Sequence, residues 1–237
     1  MRTMRWKAVA GGIVAASLAA LAPGAVPSAL AAGSISGVAT NNRHEPLAGI
    51  CATIIDAATN TTIGGAGPTG ADGTWLANDI PAGNAITAYI NNACTQGQYV
   101  GEWYPGTPSQ ANATPFAVVD GQTTSGINVM LPLGGSVTGK VTDMASRAPL
   151  QDIAVFAFRT DSFESATYGA CTDADGKYQL NGVPTKGVKV EFIPGICADD
   201  SVHAAQWFKN QPDYDHATVI RVLPGGNRPL VNAALVP

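Results

Sequence analysis

Residues 70–81, GADGTWLANDIP, decide the fold because they recur as DADGKYQLNGVP at residues 173–184, an offset of 103 positions (173 − 70). In both copies an Asp-Gly pair precedes a run in which apolar and polar residues alternate. Asp and Gly tolerate positive φ and are typical of tight turns. Alternation with a period of two is typical of a half-buried β-strand. Each copy therefore predicts an Asp-Gly turn joined to a strand, as in a hairpin.

The repeat extends beyond this stretch in both directions. At the same offset, Gly37-Val38 matches Lys140-Val141, Pro46-Leu47 matches Pro149-Leu150, and Cys94 matches Cys197; farther on, Trp103-Tyr104 matches Trp207-Phe208 at an offset of 104. A repeat of about 100 residues predicts two copies of one domain, which we place at residues 32–134 and 135–237. The joint LPLGGS (131–136) is short and contains Pro and Gly, which predicts a tight connection.

Each copy reads as short strands separated by turn signals. In the second strand candidate, for example, Ile50, Ala52 and Ile54 alternate with their neighbours. The candidates in the first copy are residues 34–40, 49–56, 61–67, 74–78, 85–91, 99–104, 115–120 and 127–131. This pattern, with no helical period longer than a turn, predicts an all-β fold of two tandem antiparallel β-sandwiches, immunoglobulin-like or transthyretin-like.

The N-terminus has the features of a secretory signal peptide. Arg2, Arg5 and Lys7 precede an apolar run, and the small-residue site Ala29-Leu30-Ala31 follows it. The apolar run is shorter than the about 20 residues that span a bilayer. We therefore expect residues 1–31 to be a signal peptide, cleaved after Ala31, and the product to be secreted, extracellular and without a membrane anchor.

The charge of the remaining chain disfavours polyanionic partners. Removing the signal leaves ten basic residues (13 − 3) and seventeen acidic residues, a formal charge of −7 (10 − 17). Binding to nucleic acid or to an anionic membrane requires the opposite sign. We therefore expect no nucleic-acid partner.

Four cysteines in an exported chain predict two disulfides, for which composition alone allows three pairings. If the strand that carries Cys51 turns back near Thr59-Asn60, position 51 faces position 68. In the second copy the equivalent of Cys51 is Ala154, and the equivalent of Pro68 is Cys171. Opposed residues have Cβ atoms about 5 Å apart, so either side reaches the same partner. We predict Cys51–Cys94 and Cys171–Cys197.

The acidic turn and the histidines give weak chemical signals. A calcium loop needs further acidic ligands at fixed spacing, and Asp173 is Gly70 in the first copy. His44, His203 and His216 stand at positions that do not repeat, and none lies in a zinc or nucleophile motif. We therefore expect no metal, no cofactor and no enzyme activity, with a small secreted hydrolase as a remote alternative.

An internal Lys–Asn isopeptide bond is another possibility that the residues allow. Lys140, Asn232 and Glu191 would form the trio. Such a bond needs a dry, buried site, and the alternation with neighbouring Val residues directs Lys140 and Asn232 away from the core. We expect no such bond.

Aromatic pairs followed by Pro-containing loops are the best binding candidates. Trp103 and Tyr104 lie in EWYPGTP (102–108), and Trp207 and Phe208 lie in QWFKNQPDYD (206–215). Adjacent strand residues face opposite ways, so one of each pair is expected in the core and the other can be exposed. An exposed aromatic ring stacks on sugars or holds a partner. The alternative is that both are packed, one of them under the loop.

The ordered motifs resemble a known family. They are the G-x-x-T that begins at Gly37 and the G-x-V-T at Gly139, PLAGI and PLQDI, the two ADG turns, EWY and QWF, and DGQTTSGINVML at 120–131. The chain is similar to carboxypeptidase regulatory-like domains, which have transthyretin-like or starch-binding-like β-sandwich folds and are related to the B-type repeats of collagen adhesins. The second copy departs from the pattern at GGNRPLVNAAL, 225–235.

The resemblance implies a non-catalytic module, because such domains are appended to enzymes and surface proteins and no catalytic domain is present. We expect a secreted binding module for carbohydrate or an extracellular surface, with Trp103, Tyr104, Trp207 and Phe208 as candidate ligand-binding residues. The alternative is an adhesin-like structural or protein-interaction spacer, with an extracellular protein as its partner.

Overall fold

The computed structural model describes residues 32–95, 97–161, 169–198 and 202–237, and the predicted signal peptide lies outside these ranges. Their secondary structure is β throughout, apart from a 3₁₀ turn at Gln110–Asn112. The strands are β1 (Gly33–Thr40), β2 (Cys51–Asp56), β3 (Thr61–Ala66), β4 (Thr74–Ile80), β5 (Gly83–Asn91), β6 (Glu102–Trp103), β7 (Phe116–Val118), β8 (Thr123–Thr124), β9 (Val129–Met130), β10 (Gly135–Asp143), β11 (Ala154–Arg159), β12 (Ala170–Cys171), β13 (Lys177–Val183), β14 (Val188–Ile193), β15 (Gln206–Trp207), β16 (Asn227–Arg228) and β17 (Ala233–Leu235). None of the described helices is long and apolar enough to cross a membrane.

The strands form two tandem β-sandwiches, as the sequence predicts. The first sandwich has a β1 sheet of order β4-β1-β8, with β9 also on β1, and a β2 sheet of order β3-β2-β5-β6, with β7 on β5. The second has a β10 sheet of order β13-β10-β16, with β17 on β10, and a β11 sheet of order β12-β11-β14-β15. The same order of pairing in both halves confirms the internal repeat.

The sandwiches are not wholly antiparallel. β8 and β9 run parallel to β1, and β16 and β17 run parallel to β10. The chain reaches these strands after crossing from the opposite sheet, so it joins the free side of β1 or β10 by a crossover connection and not by a hairpin.

Each sandwich has its own apolar core between its two sheets. Ile35, Ile54 and Ile90 are fully buried in the first core. Val137, Leu180 and Phe192 are buried in the second. The inward positions are those that the period-two alternation indicates, because successive strand residues face opposite sides.

The Asp-Gly turn is real, but it is not a hairpin. Gly73 and Gly176 both have φ of +72°. A Cβ at these positions would lie 2.5 Å from Ala39 O and 2.4 Å from Val141 O. The strands on either side of each turn belong to different sheets, since β3 pairs with β2 whereas β4 pairs with β1. The turn therefore carries the chain from one layer to the other, and glycine permits its close packing on the first strand of each sandwich.

The match of Gly37-Val38 with Lys140-Val141 is wrong by one residue. Gly37 pairs with Trp75, and Gly139 pairs with Tyr178, so Gly139 is the counterpart of Gly37. Val38 is therefore the counterpart of Lys140. The turn after β10 is one residue longer than the turn after β1, which restores the offset of 103 before Pro149.

Both predicted disulfides are present, Cys51–Cys94 and Cys171–Cys197. Ala154 pairs with Cys171 in the ladder between β11 and β12, as the exchange of sides across one rung requires. The sequence separations of 43 and 26 residues correspond to about 4 and about 3.5 kcal/mol of loop-closure entropy in the unfolded chain. These bridges supplement the modest core that a domain of this size can bury.

Candidate functional site

Trp103 and Trp207 lie on the outer faces of their sheets and are covered by loops. Trp103 pairs across the ladder with Tyr89, and their ring centroids are 5.0 Å apart. The Trp207 ring lies 5.2 Å from Phe158 and 5.4 Å from Tyr214. Trp103 is 7% exposed and Trp207 is 6% exposed. Both rings are therefore packed between the sheet and the loop that follows.

The loops are held in place by repeated backbone contacts. Trp103 exchanges two backbone hydrogen bonds with Thr107, and Trp207 does the same with Gln211. In the second loop the Lys189 ammonium lies 4.1 Å from the Tyr214 ring centroid and donates to Tyr214 O.

The neighbours of the tryptophans face inward. Phe208 belongs to the second core, and Tyr104 packs against the first core, with an edge-to-face contact to Phe116. The expectation that one aromatic ring of each pair is exposed for stacking is therefore not met. Trp103, Trp207 and Phe208 are buried, and Tyr104 is half-buried. The physical reason is that the Pro-containing loops fold back over the tryptophans. Ligand binding by these four residues stays a prediction.

The junction between the sandwiches is a second candidate; the sequence predicts a tight connection there but not a functional site. Val100 N–H donates to Pro132 O at 2.9 Å, and Gly134 N–H donates to Gln98 O at 2.8 Å. The chain between the sandwiches thus lies against the first sandwich as a short added strand, with Leu133 opposite Tyr99.

Glycines bring the second sandwich into direct backbone contact at this junction. A Cβ at Gly134 would lie 2.7 Å from Val183 O, and one at Gly182 would lie 2.7 Å from Tyr99 O. Gly225 N–H also donates to Gly134 O at 2.6 Å. No larger residue would fit at Gly134 or Gly182 without moving one sandwich relative to the other.

A buried ion pair spans the junction. Arg159 Nη1 of the second sandwich lies 3.7 Å from Glu102 Oε1 of the first, and each side chain is 7% exposed. Arg159 Nε also donates to Asp161 Oδ1 at 3.0 Å. The other oxygen of Glu102, Oε2, is buried and has no hydrogen-bond partner among the described residues. Burial raises the pKa of Glu102, and the charge of Arg159 opposes part of that rise.

The equivalent position in the second sandwich is neutral. Gln206 stands where Glu102 stands in the first copy, it is also buried, and its Nε2 donates to Asn210 Oδ1 at 3.0 Å. The acid is therefore present in the copy that meets an arginine and absent from the other. A cavity of about 220 Å³ lies beside the pair, lined in part by Pro132, Thr185 and Lys186.

The outer face of the β10 sheet carries a groove of about 1020 Å³, the β10 groove. Its lining includes Lys140, Lys177, Gln179, Leu230 and Asn232. Its volume is in the range of pockets that hold small-molecule ligands. No sequence motif indicated it, because it depends on the register between β10 and β13.

The remaining chemical candidates have local structural roles. His203 Nε2 lies 3.1 Å from Asp143 Oδ2, and His216 Nδ1 lies 2.7 Å from Asp213 Oδ1. His44 has φ of +62° in an exposed turn. Within the described ranges, no three His, Cys, Asp or Glu side chains are grouped as a metal site would require.

The trio of Lys140, Asn232 and Glu191 is not assembled as an isopeptide site. Asn232 is exposed, and its Oδ1 accepts from Lys140 N at 2.9 Å. Asn128 makes the same contact with Val38 N in the first sandwich, so this asparagine has a repeated structural role. Glu191 lies on β14, in the opposite sheet.

The carboxylates of the Asp-Gly turns are used by the turns themselves. Asp72 Oδ1 accepts from Thr74 N and from Thr74 Oγ1, and Asp173 Oδ1 accepts from the backbone N–H groups of Asp175 and Lys177. These hydrogen bonds close the turn and account for the aspartates without a bound ion.

The chain is similar to known proteins only in the comparison with solved structures. No protein-family model matches the chain, and no curated protein matches it. Membership of the carboxypeptidase regulatory-like family therefore stays a prediction.

The similar structures include three bacterial proteins. The Bacillus anthracis TIE protein is 12% identical with a TM-score of 0.33, and the match covers 87% of this chain and 34% of that one. A streptococcal ancillary pilin is 11% identical with a TM-score of 0.31, covering 88% and 63%. The shaft pilin SpaA from Lactobacillus rhamnosus GG is 10% identical with a TM-score of 0.30, covering 86% and 96%. This chain thus spans 34% of the first protein and 63% of the second, and TM-scores this low carry no argument about what it does.

Proposed function

We propose that the chain is a secreted, non-catalytic module of two β-sandwich domains, residues 32–134 and 135–237, that presents binding surfaces to extracellular partners in a fixed relative orientation. The junction carries this proposal. Two glycines in close backbone contact and a buried Glu102–Arg159 pair restrict how the domains can be placed. Domains that only needed to be tethered would be served by a flexible linker.

The burial of Trp103 and Trp207 favours this structural and protein-interaction function over sugar stacking on their rings. The disulfides are consistent with an oxidising extracellular compartment.

Residual dipolar couplings test the fixed orientation. A single alignment tensor should fit the couplings of both sandwiches, and a Gly182→Ala variant should change the fitted relative orientation. Two independent tensors in the unmodified protein would show that the domains are only tethered. Capture of defined extracellular matrix proteins by the immobilised chain then tests the interaction function, with the Gly182→Ala variant as the comparison.

Carbohydrate binding is a second candidate, favoured by the β10 groove. Its amide and ammonium side chains can bond sugar hydroxyls, and Leu230, 77% exposed, offers an apolar surface beside them. A glycan array probed with the purified chain tests it, and this candidate fails if no glycan is retained.

A further inference from the structure

The cavity beside the buried ion pair, which we call the junction pocket, has a volume of about 220 Å³ and is lined by residues of both sandwiches. Glu102 and Arg159 are buried and form its floor, whereas Leu133 and Lys186 are exposed and form part of its rim. The pocket therefore opens to the surface, and its shape depends on the relative orientation of the two domains.

The polar groups of the floor have unused hydrogen-bonding capacity. Oε1 of Glu102 lies 3.7 Å from Arg159 Nη1, which is too long for a hydrogen bond. Arg159 donates through Nε to Asp161, and its Nη groups are further donors. Oε2 of Glu102 is fully occluded, so a ligand reaches this carboxylate through Oε1. A group that both donates and accepts can therefore bridge Glu102 Oε1 and Arg159 Nη1.

The charges around the floor balance. Arg159 and Lys186 carry the two positive charges that act on Glu102, and Asp161 adds a second negative charge to that of Glu102 itself. An ion that entered this pocket would lose its hydration without a net attraction to offset that loss. The floor therefore favours a neutral group that carries both a donor and an acceptor.

The walls of the junction pocket are apolar and rigid. They include Val100 and three prolines, Pro108, Pro132 and Pro184. The volume of about 220 Å³ is below the roughly 300–1,000 Å³ of pockets that hold whole small-molecule ligands. It is well above the roughly 30 Å³ that one bridging water occupies. The pocket is therefore sized for a single side chain with an apolar body and a polar tip.

We propose that the junction pocket receives a tyrosine side chain of an extracellular protein partner, with the ring against the proline walls and the hydroxyl bonded to Glu102 Oε1 and Arg159 Nη1. A hydroxyl donates and accepts through one atom. Glutamine has the same capacity, but tyrosine loses less rotamer freedom when it is buried and is enriched at the cores of protein interfaces. This inference rests on the proposed protein-interaction function and specifies the group by which the partner is anchored.

Titration of the isotope-labelled chain with N-acetyl-tyrosine amide, followed by two-dimensional NMR, tests this assignment. The backbone amide signals of Val100, Leu133 and Lys186 should shift and saturate, with a dissociation constant on the order of 1 mM for a ligand of this size. N-acetyl-phenylalanine amide lacks the hydroxyl and should bind about tenfold more weakly, as expected for the loss of hydrogen bonds to charged groups. N-acetyl-glutamine amide should also bind more weakly than the tyrosine compound.

Three variants locate the binding. Glu102→Met removes the acceptor at a similar side-chain length, and it should weaken the tyrosine compound about tenfold while leaving the phenylalanine compound unchanged. Gln206→Met changes the equivalent buried position of the second sandwich, which is not part of the pocket lining, and should change neither affinity. Leu133→Ala shortens an exposed rim residue and should weaken both compounds about threefold through lost apolar contact. It tests the pocket independently of any change in stability at Glu102.

The other outcomes are separable. No saturable shift with any compound would overturn this inference, and the proposed function would still stand if one alignment tensor fits both sandwiches. Equal affinities for the tyrosine and phenylalanine compounds, unchanged in Glu102→Met, would overturn the bridging hydroxyl. Tighter binding of the glutamine compound would overturn the choice of tyrosine. Shifts that Leu133→Ala leaves unchanged would place the binding outside the junction pocket and overturn the assignment.

Discussion

Arg159→Met should destabilise the protein strongly, whereas Glu102→Gln should not. Both side chains are 7% exposed. Removing Arg159 leaves the buried Glu102 carboxylate without its ion-pair partner, and breaking a buried pair in this way costs about 3–5 kcal/mol. Removing the charge of Glu102 leaves Arg159 bonded to Asp161 at 3.0 Å. Removing the arginine therefore leaves a buried charge without its partner, whereas removing the charge of the glutamate does not.

The pH dependence separates the two variants further. Burial raises the pKa of Glu102, so the native state binds this proton more tightly than the unfolded state does. The free energy of unfolding then falls as pH rises from the ordinary glutamate pKa through the raised value. Glutamine does not titrate. Glu102→Gln should thus match the unmodified protein near about pH 4, where glutamate is largely protonated, and be equally or more stable at neutral pH.

Urea unfolding at both pH values, with calorimetry, measures these effects. For about 200 folded residues, a loss of about 3–5 kcal/mol lowers Tm by roughly 6–20 °C. Gln206→Glu is the matched control. It places a carboxylate at the equivalent buried position, which no arginine forms an ion pair with in the part of the chain that the structure describes, and should be more destabilising at neutral than at acidic pH. Equal costs for Glu102→Gln and Arg159→Met at neutral pH would refute the reasoning, because the pair would then be a net attraction.

Three further predictions concern single positions. Trp103→Ala should lower the free energy of unfolding in urea by about 3–5 kcal/mol, as for other buried aromatics; an unchanged value would mean that the ring is not packed. Gly182→Ala, at a φ of +66°, places a Cβ 2.5 Å from the nearest atom of the first sandwich and should cost about 1–3 kcal/mol, more than Gly126→Ala, which has a left-handed backbone too (φ +82°) but no atom within 4 Å of its Cβ. Hydrogen bonds from Ser146, with a smaller contribution from His203, lower the pKa of Asp143 to about 2. The stabilisation by this carboxylate is present above the ordinary aspartate pKa and is lost as pH falls toward 2. In an acid titration followed by circular dichroism, Asp143→Asn should therefore lose less stability over that range than the unmodified protein does.

The repeat made most of the fold predictable from sequence. Two copies of one pattern fixed the strands, and the exchange of Cys51 for Cys171 across one rung identified both disulfides. The parallel pairing of β9 and β17 was not predictable, because alternation shows which face a residue occupies but not which strand lies beside it. The offset near Gly37 was misread for a similar reason, since one residue added in a turn leaves the alternation of both flanking strands intact.

The candidate site was harder to predict. The position of Trp103 beside a polar loop was visible, but its exposure depends on where that loop folds, and the contacts with Thr107 are backbone contacts that carry no sequence signature. The β10 groove depends on residues from four separate segments, among them Lys140, Gln179 and Leu230, which only the fold brings together.

Differences between the copies identify the junction better than their similarities do. Gly182 and Asp79 are equivalent, and both have left-handed backbones, with φ of +66° and +57°. Asp79 is exposed, so a side chain is tolerated there, whereas Gly182 packs against the backbone of the first sandwich and has no room for one. Glu102 and Gln206 differ in the same sense, with the charge placed only where Arg159 faces it. The two copies thus differ at the positions where one domain meets the other, which is expected if the protein functions with the fixed orientation of its domains that we propose.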